Sequence, residues 1–101
     1  DAEGKQEISG SLIKRCNVIV DDWTQTSHSG EINVPCHEGW FSEDMVAGEI
    51  GTIVASEDSS FKESLTLFDS TGLAIQDMAT ANIVLKKAIK NGIGLDWSPL
   101  N

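Results

Sequence analysis

The chain has 101 residues, of which 40% are hydrophobic and 23% are charged. This length and composition predict one globular domain and exclude a disordered segment. The formal net charge of −9 repels phosphate backbones and anionic lipid surfaces, so no nucleic-acid partner is expected. The longest aliphatic stretches, such as residues 18–20, are far too short for membrane insertion.

The first half of the chain is predicted to be mostly extended. Residues 1–6 are polar and are expected to be mobile, and a strand is predicted over residues 7–20 because of their β-branched side chains. Residues 21–30 are rich in Ser and Thr and predict a loop. Residues 30–34 predict a second strand, with Pro35 at its end or on a sheet edge.

The middle of the chain gives weaker signals. Residues 37–46 are irregular, and residues 47–55 predict a strand with a bulge at its two glycines. Residues 61–71 fit either a capped helix or the first strand and turn of a hairpin, and both alternatives stay open. In either case residues 73–75 are expected to be extended.

The clearest helix is predicted near residues 80–91. Its apolar side chains recur at helical spacing, and the Asn-Gly pair at residues 91–92 would end it. Residues 93–97 predict a short final strand. Together, residues 1–101 predict a single α+β domain, in which a small antiparallel sheet of four to six strands forms a sandwich or a closed barrel beside this C-terminal helix.

Cys16 and Cys36 are the only two cysteines, and both lie beside predicted strands. A bridge between them would close a loop of nineteen residues and would stabilise the domain by roughly 3 kcal/mol. The alternative is a pair of buried free thiols in a cytosolic protein. We predict the disulfide, and with it a secreted or periplasmic location.

No catalytic site, metal site or cofactor is predicted. His28 and His37 lie in or beside polar segments, and with the two cysteines they lack the close spacing of metal ligands. The sequence has no phosphate-binding glycine loop and no dinucleotide fingerprint. Acidic pairs such as Asp21-Asp22 fit loop carboxylates that face solvent.

Aromatic side chains are the best candidates for binding. An Asp directly precedes Trp23, and Trp40-Phe41 lies in a loop beside Gly39, where we expect both rings to be exposed. Such rings suit a protein hot spot or a sugar face, whereas the alternative is burial in the core. The sequence therefore predicts a binding surface at Asp22, Trp23, Trp40 and Phe41.

These observations predict a secreted or periplasmic, disulfide-stapled, non-enzymatic binding module that recognises a protein or a glycan. An effector, a toxin-binding subunit, an adhesin and an inhibitor all fit this description. A second interpretation is a viral or appendage assembly subunit that forms a homo-oligomer through its edge strands. A third is a small hydrolase that uses His28 or His37, so an enzyme stays open but is not favoured.

Overall fold

A computed structural model describes residues 4–99 of the chain, and the expected mobility of residues 1–6 falls partly outside this range. The described residues form three strands, β1 (Asn17–Val20), β2 (Gly48–Glu49) and β3 (Thr66–Asp69). They lie side by side in the order β2-β1-β3, and both pairings are parallel.

The predicted antiparallel sandwich or barrel is therefore wrong. β1 is the central strand, and its residues 18–20 are all buried. A continuous aliphatic run of this kind is typical of a parallel strand that is covered on both faces. Parallel neighbours also require long crossover connections, and these occupy the segments that the sequence suggested as further strands.

Five helices surround or extend from the sheet in the described part of the chain. Most are short, and a single 3-10 turn at Glu43–Met45 leads into β2. The helices are α1 (Gly10–Ile13), α2 (Trp23–Ser29), α3 (Asn33–His37), α4 (Ile50–Ala55) and α5 (Ala74–Lys90).

Two of these helices replace the loop and the second strand predicted for residues 21–34. Asp22 caps α2, since its Oδ2 accepts a hydrogen bond of 2.9 Å from the Gln25 amide. Pro35 lies in the first turn of α3, where an amide has no partner within the helix. Proline is tolerated at such a position, so here it does not mark the end of a strand.

Several other local predictions are also wrong. Residues 7–20 contain α1 before β1, and residues 50–55 are helical. Residues 61–71 contain β3, so the strand alternative holds for its first element, but α5 begins at Ala74 where a returning strand was expected. The helix predicted near residues 80–91 is confirmed in position and begins six residues earlier. Residues 93–97 form no strand.

A small core lies on the side of the sheet that α1, α2 and α3 cover. Five buried apolar side chains form it, and six half-buried ones pack against them. The buried ones are Ile13, Val18, Val20, Ile32 and Phe41.

The predicted disulfide is not formed, because Cys16 and Cys36 are both free thiols. Cys16 follows α1, and its Sγ donates to the Leu12 carbonyl at 3.2 Å. Cys36 lies on α3 and packs against the core. Burial, followed by the negative charge of Asp69, raises the pKa of the Cys36 thiol. The predicted secreted or periplasmic location stays a prediction, without the bridge that supported it.

Among the described residues, every helix is too short or too polar to pass through a bilayer.

Candidate functional site

The carboxyl ends of the three strands meet at one edge of the sheet, because all three strands are parallel. Asp21 directly follows β1, Glu49 ends β2 and Asp69 ends β3. Open parallel sheets bind their ligands at this edge. We call these three residues and the following loop, Ser70-Thr71-Gly72, the carboxyl edge.

Asp21 organises the carboxyl edge. Its side chain is only 7% exposed, yet it carries a carboxylate, which must be satisfied by hydrogen bonds when it is buried. Five donors surround it at 2.9–3.3 Å, two of them backbone amides and three of them hydroxyls. They are the amides of Asp22 and Gly72 and the hydroxyls of Thr26, Ser70 and Thr71.

These donors keep Asp21 ionised. Burial alone would raise the pKa of its carboxyl, but hydrogen bonds from the Gly72 amide, the Ser70 hydroxyl and other donors outweigh burial and lower it below 3.8. A charged carboxylate therefore joins β1, the start of α2 and the loop after β3. The sequence interpretation of Asp21 as a solvent-facing carboxylate is wrong.

The loop at residues 70–72 is held from both sides. Gly72 has a φ of +81°, a conformation that favours glycine, and Gln25 Nε2 donates to its carbonyl at 2.9 Å. The loop then enters α5, where the Leu73 amide donates to Gln76 Oε1 at 3.2 Å. The hydroxyl oxygens of Ser70 and Thr71 keep lone pairs that could accept a further hydrogen bond.

Asp69 is the second buried carboxylate of the carboxyl edge, at 4% exposure. Its Oδ2 accepts a hydrogen bond of 2.9 Å from the Ile32 amide. Burial, together with the negative charges of Glu31 and Asp21, raises the pKa of Asp69 despite the backbone hydrogen bonds that it accepts. Gly30 allows this approach, since a Cβ there would lie 2.8 Å from Asp69 Oδ2.

Glu49 completes the edge on the other side of β1. Its Oε2 accepts a hydrogen bond of 3.0 Å from the Trp23 amide, and its side chain is exposed. The end of β2 is thereby tied to the first turn of α2.

Only part of the predicted binding surface lies at this edge. Asp22 and Trp23 begin α2 there, and both are half-buried. Phe41 is 6% exposed and belongs to the core, so the expectation that its ring is exposed is wrong. Trp40 is half-buried, with Lys14 Nζ 4.8 Å from its ring centroid. The binding role of these four residues stays a prediction.

The two histidines line a separate cleft of about 540 Å³ between α2 and α3, together with Cys36 and Asn33. His28 Nδ1 lies 2.7 Å from the Thr24 carbonyl, so it is engaged within its own helix. In the described part of the chain, no three His, Cys, Asp or Glu side chains converge as metal ligands.

Comparison with known proteins agrees with the parallel sheet. The sequence profile of the ornithine cyclodeaminase/mu-crystallin family matches residues 1–92. The chain belongs to this family. It is 40% identical over 96 residues to the alanine dehydrogenase of Archaeoglobus fulgidus, a match that covers 93% of this chain and 30% of that protein. It is 35% identical over 94 residues to the iminosuccinate reductase of Paracoccus denitrificans, covering 92% and 29%.

Solved structures of family members superpose on nearly the whole chain. An archaeal alanine dehydrogenase dimer with bound NAD aligns with a TM-score of 0.79 and 38% identity, over 98% of this chain and 32% of its own. The Paracoccus denitrificans iminosuccinate reductase in complex with NAD+ aligns with a TM-score of 0.81 and 33% identity, over 97% and 30%. The chain thus spans about 30% of the length of these relatives.

These relatives correct the functional prediction. They are a dehydrogenase and a reductase, so the prediction of a non-enzymatic binding module of the effector, toxin-binding, adhesin or inhibitor type is wrong. The protein or glycan partner and the homo-oligomer, which no comparison tests, stay predictions.

Sequence reasoning missed Asp21, Asp69 and the loop at residues 70–72. A usable signal was present, since Asp21 and Asp69 each directly follow a short strand-like run. That pattern is typical of the carboxyl ends of parallel strands. The pattern points to a shared edge only when the strands are parallel, whereas the sequence predicts antiparallel strands.

Proposed function

We propose that this chain forms part of a nicotinamide-nucleotide-dependent oxidoreductase that acts on a small amino or imino acid. The observation that carries the proposal is the carboxyl edge, where the Asp21 carboxylate fixes Ser70, Thr71 and Gly72. Membership of the family supports it, because two relatives whose structures superpose on nearly the whole chain were solved with NAD or NAD+ bound.

The residues of the carboxyl edge fit the nicotinamide end of such a cofactor. Ser70 and Thr71 offer hydroxyl oxygens, and the exposed Glu49 and half-buried Asp22 make the surroundings acidic. An acidic edge suits the positively charged ring of the oxidised nicotinamide and disfavours a pyrophosphate group. The proposal is therefore restricted to the nicotinamide end.

Each residue has a defined task in this proposal. When bound, the nicotinamide supplies hydride transfer to or from carbon. The Asp21 carboxylate holds the loop at residues 70–72 in place, and it stays charged near neutral pH because its pKa is lowered. The hydroxyl oxygens of Ser70 and Thr71 would orient the nicotinamide ring through their free lone pairs. Gly72 has no side chain, so it leaves room for the ring beside the loop.

The test is a titration of the protein with NADH, followed by energy transfer from tryptophan to the reduced nicotinamide. Ser70→Ala and Thr71→Val each remove one hydroxyl without adding bulk, so each is expected to weaken NADH binding about fivefold, the equivalent of one hydrogen bond. Ser27→Ala, in the cleft between α2 and α3, is the matched control and should bind NADH like the unchanged protein.

Two outcomes would contradict the proposal. One is an unchanged protein that shows no saturable NADH binding. The other is NADH binding that Ser70→Ala and Thr71→Val leave intact while Ser27→Ala weakens it, which would move the site to the other cleft.

A further inference from the structure

The two hydroxyl groups of the carboxyl edge loop each carry a single proton, and both protons are directed at Asp21. Ser70 Oγ donates to Asp21 Oδ2 at 3.0 Å, and Thr71 Oγ1 donates to Asp21 Oδ1 at 3.3 Å. An ionised carboxylate can only accept hydrogen bonds, so neither bond can run in the opposite direction. Hydrogen bonds to a charged acceptor are also stronger than those between neutral groups, which keeps the two protons in place.

The surroundings of Asp21 keep a proton off its own carboxyl group. Each carboxylate oxygen accepts a backbone amide at 2.9 Å, Oδ1 from Asp22 and Oδ2 from Gly72. Thr26 adds a third hydroxyl donor at 3.1 Å. A proton on either oxygen would displace one of these donors, and an amide cannot turn round to accept it. The lowered pKa of Asp21 agrees with this geometry.

The backbone amides that follow the two hydroxyls are engaged as well. The Gly72 amide donates to Asp21, and the Leu73 amide donates to Gln76 Oε1 at 3.2 Å. The hydroxyl oxygens, in contrast, keep free lone pairs. Ser70 is exposed and Thr71 is half-buried, so a ligand at the edge can reach them. The side chains of Ser70 and Thr71 therefore offer a ligand acceptors and no donor.

A ligand group at this loop must then supply the hydrogen of every bond to the two hydroxyl oxygens. The carboxamide of a nicotinamide ring has an NH2 group with two such hydrogens. A carboxylate in the same position has none, and the negative charges of Asp21, Asp22 and Glu49 would repel it. Sites built to bond a donor group discriminate strongly against an analogue that lacks the group.

We propose that Asp21 is a positioning residue that sets the ligand preference of the loop at residues 70–72, because by holding both hydroxyl protons it selects a carboxamide over a carboxylate. The inference rests on the proposed nicotinamide site and deepens it, since it names the ligand group that faces the loop. Asp21 does not contact the ligand in this account and acts through Ser70 and Thr71.

Titration with two matched nucleotides, followed by backbone amide chemical shifts, tests the proposal. Oxidised nicotinamide mononucleotide and nicotinic acid mononucleotide share their ribose and phosphate, and they differ in a carboxamide against a carboxylate. We expect the unchanged protein to bind the amide nucleotide at least about tenfold more tightly than the acid nucleotide, because the acid brings no donor to the hydroxyl oxygens.

Asp21→Asn separates the direction of the protons from the charge. The Asn side chain turns an NH2 group towards the surrounding donors, so a hydroxyl that faces it must accept and can turn its own proton to the ligand. We expect the preference for the amide nucleotide to fall to about twofold. Asp22→Asn removes the same charge one residue away, where the carboxylate caps α2 instead. It should keep a preference of at least about fivefold.

Ser70→Ala and Thr71→Val test the same preference with Asp21 intact. Each removes one acceptor, so each should weaken binding of the amide nucleotide about fivefold and leave binding of the acid nucleotide unchanged. When both substitutions are present, adding Asp21→Asn should not change the preference further, because Asp21 acts through these hydroxyls. A purely structural role of Asp21 would change the affinity for both nucleotides alike.

Three results would overturn the proposal. Equal affinities of the unchanged protein for the two nucleotides would do so and would leave the nicotinamide site standing. Equal losses of preference in Asp21→Asn and Asp22→Asn would show that charge alone sets the preference. Absence of saturable binding of either nucleotide would remove the proposed function together with this inference.

Discussion

At the carboxyl edge, the charged side chains of Asp21 and Asp69 are almost completely buried, whereas on α5 the apolar side chains of Met78 and Leu85 are more than half exposed. The buried carboxylates are fully hydrogen-bonded, and no buried side-chain polar atom in the described residues lacks a partner. The buried polar groups around the sheet are therefore satisfied within the described residues, although Phe68 of β3 is 49% exposed. Helix α5 has the composition of a buried element and lacks the surface that would bury it.

The same substitution in the two regions gives the largest expected contrast. Ile32→Ala removes a side chain with 0% exposure and should lower the free energy of unfolding by about 3–4 kcal/mol, because it leaves a cavity in the core. Ile83→Ala on α5 should change it by less than about 0.5 kcal/mol. Urea denaturation measures both, and equal losses would show that α5 is already packed.

Gly30→Ala tests how closely the elements around Asp69 approach each other. An added Cβ would lie 2.5 Å from Thr26 Cγ2 and 2.8 Å from both the Thr26 carbonyl and Asp69 Oδ2. Because one of these atoms is backbone, we expect a loss of about 2–3 kcal/mol in the free energy of unfolding. Gly51→Ala on α4 is the control, since a Cβ there has nothing within 4 Å, and it should stabilise the protein by about 0.5 kcal/mol. A tolerated Gly30→Ala would contradict the packing described here.

Asp21→Asn tests the charge that holds the loop at residues 70–72. The amide keeps one acceptor but turns an NH2 group towards donors, so we expect a loss of about 2 kcal/mol in the free energy of unfolding. Asp22→Asn is the matched control, because Asn caps a helix about as well as Asp, and its effect should stay within about 0.5 kcal/mol. Equal midpoints of thermal denaturation for Asp21→Asn and Asp22→Asn would contradict the role of the Asp21 charge.

Acid titration of stability should separate the two buried carboxylates. The folded-state pKa of Asp69 is raised, so the folded chain binds a proton more tightly, and the free energy of unfolding should rise as the pH falls through that pKa towards 3.8. The pKa of Asp21 is lowered, so its contribution is lost as the pH falls from 3.8 through its folded-state pKa.

Asp69→Asn should remove the rise in the free energy of unfolding at falling pH and should keep the loss that comes from Asp21. This is the smallest of the four effects predicted here for stability. Asp96→Asn, which makes the same charge change at an exposed site, should keep both. Denaturation curves recorded between pH 3 and 7 measure the effect. A rise that persists in Asp69→Asn would assign the titration to another carboxyl group.

The sequence predicted elements whose signal is local. The helix near residues 80–91 was found because its periodicity is strong, although its start at Ala74 was missed. Helix α2 was missed because it is short and rich in Ser and Thr, and the Asp22 cap rather than propensity holds it. Helix α3 was missed because it is only five residues long and contains Pro35. Strand direction was missed because residue pattern alone does not fix which neighbour a strand pairs with.

The carboxyl edge could be predicted only once the strands were known to be parallel. Asp21 and Ser70 are 49 residues apart in the sequence, and only the β1–β3 pairing brings them within 3.0 Å. The exposed aromatic surface was predicted from neighbouring residues, and the buried Phe41 shows why that fails. Its ring belongs to the core and lies with its centroid 6.5 Å from that of Trp23, a residue eighteen positions away in the sequence.

The most direct test of the nicotinamide site is a map of backbone amide chemical shifts on titration with oxidised nicotinamide mononucleotide, with adenosine monophosphate as the control ligand. We expect saturable shifts of residues 70–73 and of Asp22 with the nicotinamide nucleotide and none there with the adenosine nucleotide. Shifts confined to the cleft between α2 and α3, or equal shifts with both ligands, would contradict it.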